Sequence, residues 1–277
     1  MLSFAAVEPP SRGAKRWALF AHGVLGTKSN LRTLARRFVA QCPEWGVMLV
    51  DLPLHGESAR AAAAPTVDAA AAELVALGAA ATGPIEGILG HSLGGKIALA
   101  YVQERRGDLA HAWIVDACPG PRPSPREQPG SAATLVVVDA LERAAASQPF
   151  ADRDAFIERV TAEGLDLGLA QWLAMNVKPA ASGGFELTLD LPAIRALLDD
   201  YFARDLWSVV ESPPGRVRIH LVIGGRSESL DPEDRERAAR AATRSPDRVS
   251  VHVLERATHW VHVDDPDGLL AVLRGAV

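Results

Sequence analysis

The chain has 277 residues, 48% of them apolar, with a net charge of −5. That length suits one large α/β domain with room for an inserted subdomain, and the apolar content supplies a sizeable core. Basic residues are spread among acids, so no basic stripe marks a nucleic-acid partner and no polybasic segment marks an anionic membrane.

Short apolar runs alternate with longer helical patterns along the first 116 residues. WALFA (17–21), VMLVD (47–51), EGILG (86–90) and AWIVD (112–116) read as strands buried on both faces, as in a parallel sheet. Ser29 is placed to cap a helix over NLRTLARRFVAQC, and Thr66 one over VDAAAAELVALGAAA. An alanine-rich stretch near residue 60 is too short to read as disordered. A third helix is expected over GGKIALAYVQERR, stopping at Gly107. Such β-α-β repetition predicts a mostly parallel central sheet flanked by helices.

The rhythm breaks after Asp116, where ACPGPRPSPREQPG continues neither helix nor central strand. Helical patterns then follow without strands, over AATLVVVDALERAAA, DRDAFIERVTAEG, DLGLAQWLAMNV and LPAIRALLDDYF. Strand and helix alternate again in VRIHLVIGG, in a helix capped by Asp231-Pro232, in RVSVHVLE and in DPDGLLAVLRGAV. Residues 1–119 and 212–277 are therefore expected to form the core domain, and 120–211 a helical cap subdomain.

The two cysteines, Cys42 and Cys118, form neither a C-x-x-C pair nor a spaced framework, so a reduced compartment is the default. The N-terminal MLSFAAVEPPSRG lacks a basic n-region, and no apolar run reaches the roughly 18–20 residues of a membrane span. A soluble, cytoplasmic protein without membrane insertion is expected.

GILGHSLGGKIAL (87–99) admits two chemistries. Gly90 through Lys96 fits most of a phosphate-binding loop, but Ile97 stands where its Mg²⁺-binding Ser or Thr is needed. Gly90-His91-Ser92-Leu93-Gly94 fits G-x-S-x-G, the strained strand-to-helix turn that exposes a nucleophilic serine. A glycine-rich turn without chemistry is the plainer alternative. The elbow reading makes Ser92 the nucleophile and the Leu93 amide one oxyanion donor. FAHGVLGTKSN turns back after the first of these strands, and the amide of Val24, or less favourably Leu25, is placed to supply the second.

Of eight histidines, His259 and His262 in RATHWVHVDDP fall after the last strand and before the last helix. His259 lies nearer the strand end and is the favoured base, with His262 its competitor. Two carboxylates compete to orient it. Glu228 sits three residues after Gly225, whereas Asp116 ends a strand expected beside the one carrying Ser92.

HGVLG, GHSLGG and THWVHVDDPDGLL, in that order, resemble the α/β-hydrolase superfamily, and VDLPLHGES resembles its D-x-x-x-H-G-x-S segment. Lys28-Ser29-Asn30, Lys96, VDACP and GGRS are most similar to the small-cap esterase and acyl-thioesterase branch of YbfF type. In that branch the acid follows strand 6, after which the helical cap is inserted, and a serine takes the common aspartate slot. The resemblance thus implies Asp116 as acid and Ser227 as a supporting hydrogen-bonding residue, with Glu228 as the alternative acid. It implies no role for Lys96.

The expected activity is that of a serine hydrolase cleaving carboxylic esters or thioesters through an acyl-enzyme, needing no cofactor and no metal. Leu25, Trp172, Met175, Asn176, Phe202, Trp207 and Trp260 are candidates to shape an apolar substrate pocket, though packing among cap helices is an equal explanation for each aromatic. A carbon–carbon-bond hydrolase, a cofactor-free peroxidase and a non-catalytic ligand receptor are the alternatives on this fold. Neither oligomeric state nor physiological substrate is legible.

Overall fold

A computed structural model describes residues 1–10, 13–58, 64–105, 109–122 and 129–277, with residues 129–133 described by their backbone alone. The alanine-rich stretch near residue 60, Gly107 and most of the Pro-rich segment after Asp116 lie outside these residues.

The apolar runs become strands because both faces of each are covered. Along the chain come β1 (Phe4–Val7), β2 (Arg16–Ala21), α1 (Arg32–Gln41), β3 (Trp45–Val50), α2 (Val67–Leu77), β4 (Ile85–His91), α3 (Leu93–Arg105) and β5 (His111–Val115). After the insertion come β8 (Arg218–Gly224), α9 (Pro232–Arg244), β9 (Val249–Leu254), α10 (Val261–Asp264) and α11 (Pro266–Ala276). The seven core strands form one sheet in the order β1-β3-β2-β4-β5-β8-β9. Six run parallel, and only β1 pairs antiparallel, with β3. The fold is that of an α/β hydrolase. Edge strand β1 had no counterpart in the sequence reading. It is four residues long and mostly half-buried, so it lacks the apolar run that marks the central strands.

One face of the sheet packs on α1 and α11, where Phe38, Trp45 and Trp113 meet in tilted or edge-on ring contacts 5.9–6.4 Å apart. The other face packs on α2 and α3 through residues such as Leu74, Ile97 and Tyr101. Every residue of α3 from Leu93 to Val102 is buried, because this helix is covered by the sheet, by α2 and by the insertion. Thr66 caps α2 as expected, its side chain accepting from the Ala69 amide at 3.2 Å. The cap expected at Ser29 falls instead to Thr27, whose side chain accepts from the Ser29 amide in a box closed by Asn30. The chain there forms one 3-10 turn, and α1 begins only at Arg32.

The insertion leaves from β5, the fifth strand of the chain, and returns at β8. It carries α4 (Pro129–Ala145), α5 (Arg153–Ala162), α6 (Leu167–Leu173), a hairpin of β6 (Val177–Pro179) and β7 (Phe185–Leu187), α7 (Leu191–Ala203) and α8 (Trp207–Glu211). The helix expected through Val177 stops at Leu173 and gives way to a 3-10 turn and the hairpin. Among the described residues no helix is long and apolar enough to cross a membrane.

Candidate active site

The turn after β4 is strained and tightly packed. Ser92 has φ +53°, a left-handed conformation that costs a non-glycine residue about 1–3 kcal/mol. The Ser92 amide donates to the Val115 carbonyl at 3.0 Å, and the amides of Gly95 and Lys96 donate back to the Ser92 carbonyl. A Cβ on Gly90 would stand 2.0 Å from the Gly94 carbonyl oxygen, and one on Gly94 2.5 Å from that of His22. Glycines let strand, helix and the neighbouring loop pass this closely.

That neighbouring loop is the turn after β2. A Cβ on Gly23 would stand 3.3 Å from Ser92 Cβ, so the loop lies directly against the turn that carries Ser92. His22 shapes it, with Nδ1 donating to the Gly23 carbonyl at 2.7 Å and Nε2 accepting from the Leu52 amide at 3.1 Å. Burial drives the His22 pKa down to about 3 and keeps the ring neutral. Leu25 has φ +61°, and its carbonyl accepts from Asn176 Nδ2 of the insertion at 2.9 Å. The segment read as D-x-x-x-H-G-x-S supports the same loop. Asp51 Oδ1 accepts from the Lys28 amide at 2.7 Å, and Asp51 Oδ2 from Lys28 Nζ at 2.6 Å.

Asp116 follows β5 with φ +47° and is almost fully buried. β5 pairs with β4, so its end lies beside the turn that carries Ser92. Asp116 Oδ1 accepts from the Gly224 amide at 2.9 Å, while Oδ2 accepts from His259 Nδ1 at 2.7 Å and from Ser227 Oγ. His259 comes from the loop between β9 and α10. Glu228 lines the same cavity but is exposed, and among the described residues its side chain bonds neither histidine. His262 also lines the cavity. Burial lowers its pKa to about 4, and its Nδ1 has no partner among the described residues. The structure therefore pairs His259, not His262, with a carboxylate.

Two contacts around this pair escaped the sequence reading. Ser229 Oγ lies 2.8 Å from His259 Nδ1 and 3.1 Å from Ser227 Oγ, whose own proton goes to Asp116. His91 Nε2 donates to the His259 carbonyl at 2.8 Å, its ring 4.8 Å from that of His259. Desolvation first, then the neighbouring histidines, hold His91 well below the usual imidazole pKa. In the sequence, His91 is the variable residue of the elbow motif and carries no signal of this contact. Ser229 carries no motif and meets His259 only through the loop's conformation.

A cavity of about 1130 Å³ opens onto Ser92, Leu93, Val24 and His259. Of the proposed pocket residues, Leu25, Trp172, Phe202 and Trp260 line it, with Trp172 and Trp260 packed edge to face 5.0 Å apart. Met175, Asn176 and Trp207 do not. The early end of α6 turns Met175 and Asn176 onto the loop after β2, where Met175 Sδ accepts from Thr27 Oγ1 at 3.6 Å. Trp207 is buried at the start of α8 with Arg237 4.8 Å above its ring. Among the described residues no group of three or more His, Cys, Asp or Glu is arranged to hold a metal ion.

A model of the alpha/beta hydrolase family matches residues 18–272. The chain belongs to that family. This alpha/beta hydrolase is 25% identical to the sn-1-specific diacylglycerol lipase ABHD11 of Mus musculus over 253 residues, covering 91% of this chain and 78% of that one. It is 28% identical to the N-formylmaleamate deformylase of Pseudomonas putida over 207 residues, covering 74% and 68%. Among solved structures, a marine microorganism esterase superposes with a TM-score of 0.79 at 17% identity, covering 100% and 99%, a likeness of fold.

Proposed function

We propose that this alpha/beta hydrolase is a serine hydrolase of carboxylic esters or thioesters. One observation carries the reading. His259 Nδ1 meets the buried Asp116 carboxylate at 2.7 Å at the cavity onto which strained Ser92 opens. With Nδ1–H committed to Asp116, the imidazole keeps Nε2 free as a base. In the proposed reaction Ser92 Oγ attacks the acyl carbonyl while His259 Nε2 takes its proton. The amides of Leu93 and Val24 then hold the tetrahedral oxyanion. His259 returns the proton to the leaving alcohol or thiol, and water releases the acyl group by the same steps. Two proteins the chain is similar to, a diacylglycerol lipase and an esterase, favour ester cleavage.

The insertion acts as a cap in this reading. Leu169, Trp172, Leu198 and Phe202 give the cavity an apolar wall suited to an acyl chain. Labelling with a fluorophosphonate tests the proposal. Wild type is expected to label and Ser92→Ala not to, and labelling that persists without Ser92 would sink the mechanism. Turnover on a panel of esters, thioesters and carbon–carbon substrates then fixes the bond cleaved.

A further inference from the structure

Lys96 has no part in the proposed reaction, yet it is completely buried. It sits on the first turn of α3, four residues after Ser92, and its amide donates to the Ser92 carbonyl at 3.3 Å. All three ammonium protons are used. Nζ donates to the carbonyls of Gly120 at 2.7 Å, Tyr201 at 2.7 Å and Arg204 at 3.1 Å. Tyr201 and Arg204 are the last turn and C-cap of α7, where unpaired carbonyls and the helix dipole favour a cation. The ammonium also lies 4.4 Å from the centre of the Tyr201 ring.

These partners belong to three separately delivered pieces. α3 begins at the nucleophile. Gly120 is four residues beyond Asp116, and α7 contributes Leu198, Tyr201 and Phe202 to the cavity wall. Two backbone bonds reinforce the junction, from Leu206 N–H to the Pro119 carbonyl at 2.8 Å and from Arg122 N–H to the Phe202 carbonyl at 2.7 Å.

We propose that Lys96 is a positioning residue that clamps the acid-bearing segment and the cavity wall onto the nucleophile helix. The inference rests on the serine-hydrolase reading for its catalytic consequence, but the clamp itself does not. A tetrahedral ammonium matches three converging carbonyls, whereas a planar guanidinium does not. Losing the charge removes one of three donors and the attraction to the end of α7. The groups facing the ammonium are Tyr201, Cys118, Arg122, Asp205 and Asp234. Desolvation brings the Lys96 pKa down to about 8, while it pushes the Cys118 thiol up to about 12. Deprotonation near pH 8 would therefore take away one of the three donors and the charge while Cys118 stays a thiol.

The test compares wild type, Lys96→Gln and Lys96→Arg from pH 6.5 to 9.5. It follows amide hydrogen exchange over residues 198–207, corrected for intrinsic rates, and the fluorophosphonate labelling rate of Ser92. In wild type, protection and labelling are expected to fall together by about tenfold above pH 8, short of the roughly 10²-fold cost of a 1 Å misplacement. Lys96→Gln is expected to be low and flat throughout. Lys96→Arg stays charged, so it should lack the alkaline fall and plateau below wild type. A Lys96→Arg profile with the wild-type alkaline fall would overturn the proposal, even if Lys96→Gln does not fold. So would wild-type protection that is flat across pH 8. If protection follows the expected pattern but wild type never labels at Ser92, the clamp stands and the serine-hydrolase reading fails.

Discussion

Asp116 and His259 lie 143 positions apart in sequence, and their side chains meet at 2.7 Å. The carboxylate reaches the imidazole because β5, β8 and β9 are successive parallel neighbours, so the segments after β5 and β9 leave the same edge of the sheet. Glu228, on the loop after β8, makes no such contact. Under the proposed mechanism Asp116→Asn leaves His259 without the acceptor that fixes its tautomer. Turnover of a simple ester should fall by about 10²–10⁴. Glu228→Gln should stay within about twofold, because no bond between Glu228 and His259 exists to lose. The opposite ranking in kcat would transfer the acid role to Glu228.

Asn176 fixes the loop after β2 without lining the cavity. Its Nδ2 donates to the carbonyl of Leu25, a residue held at positive φ beside the proposed oxyanion amide of Val24. Asn176→Ala should therefore lower kcat by about tenfold, a fraction of the 10²–10³ lost with a whole oxyanion donor. KM should hardly change. Steady-state kinetics separate the two possibilities, since a rise in KM at constant kcat would mark Asn176 as a substrate contact instead.

The parts legible in sequence were those with local signatures. Strands β2 to β5 and β8 announce themselves as apolar runs, since both of their faces are covered, whereas β9, at the sheet edge and mostly half-buried, is legible from its alternation. Ser92 sits in a motif whose glycines are required by contacts of 2.0–2.6 Å at absent Cβ positions. Asp116 was legible as one of two acids because strand order could be inferred from β-α-β repetition. What escaped depends on tertiary placement. β1 is a short edge strand, and β6 and β7 are three residues each, with Pro179 inside β6. Helical spacing put Trp172 and Asn176 on one extended helix, but α6 ends at Leu173, so one side chain faces the cavity and the other a backbone carbonyl. Ser229 reaches His259 through loop geometry that no spacing rule encodes.

Gly94 is expected to be intolerant of any side chain. A Cβ there would lie 2.5 Å from the His22 carbonyl and 2.6 Å from that of Ala21, both of them backbone atoms held by β2 and the loop after it. Relief requires α3 to move away from the sheet, and α3 is buried along most of its length. Gly94→Ala should cost about 4 kcal/mol or more, the range of severe core overpacking. Urea unfolding measures this directly. A loss below about 1 kcal/mol would mean the turn relaxes more easily than its packing implies.

Acid should destabilise the protein through histidines far from the active site. His111 on β5 and His220 on β8 stack with ring centroids 5.6 Å apart, and His220 Nδ1 lies 2.9 Å from Ser250 Oγ on β9. Desolvation first, then neighbouring charge, lowers His111 to about 4 and His220 to about 3. Both therefore fold as neutral rings, while the unfolded chain binds their protons near pH 6.5. The unfolded state holds more protons between these limits. The stability they contribute is therefore complete above about pH 6.5 and is lost as pH falls toward 4 and then 3. Each histidine should add ~1 kcal/mol per pH unit to the slope of unfolding free energy near pH 5. The double variant His111→Gln/His220→Gln should be less stable at pH 7.5 but show a shallower slope between pH 6.5 and 4.5. Urea denaturation at a series of pH values reads both quantities, and an unchanged slope would mean these two imidazoles are protonated in the folded protein.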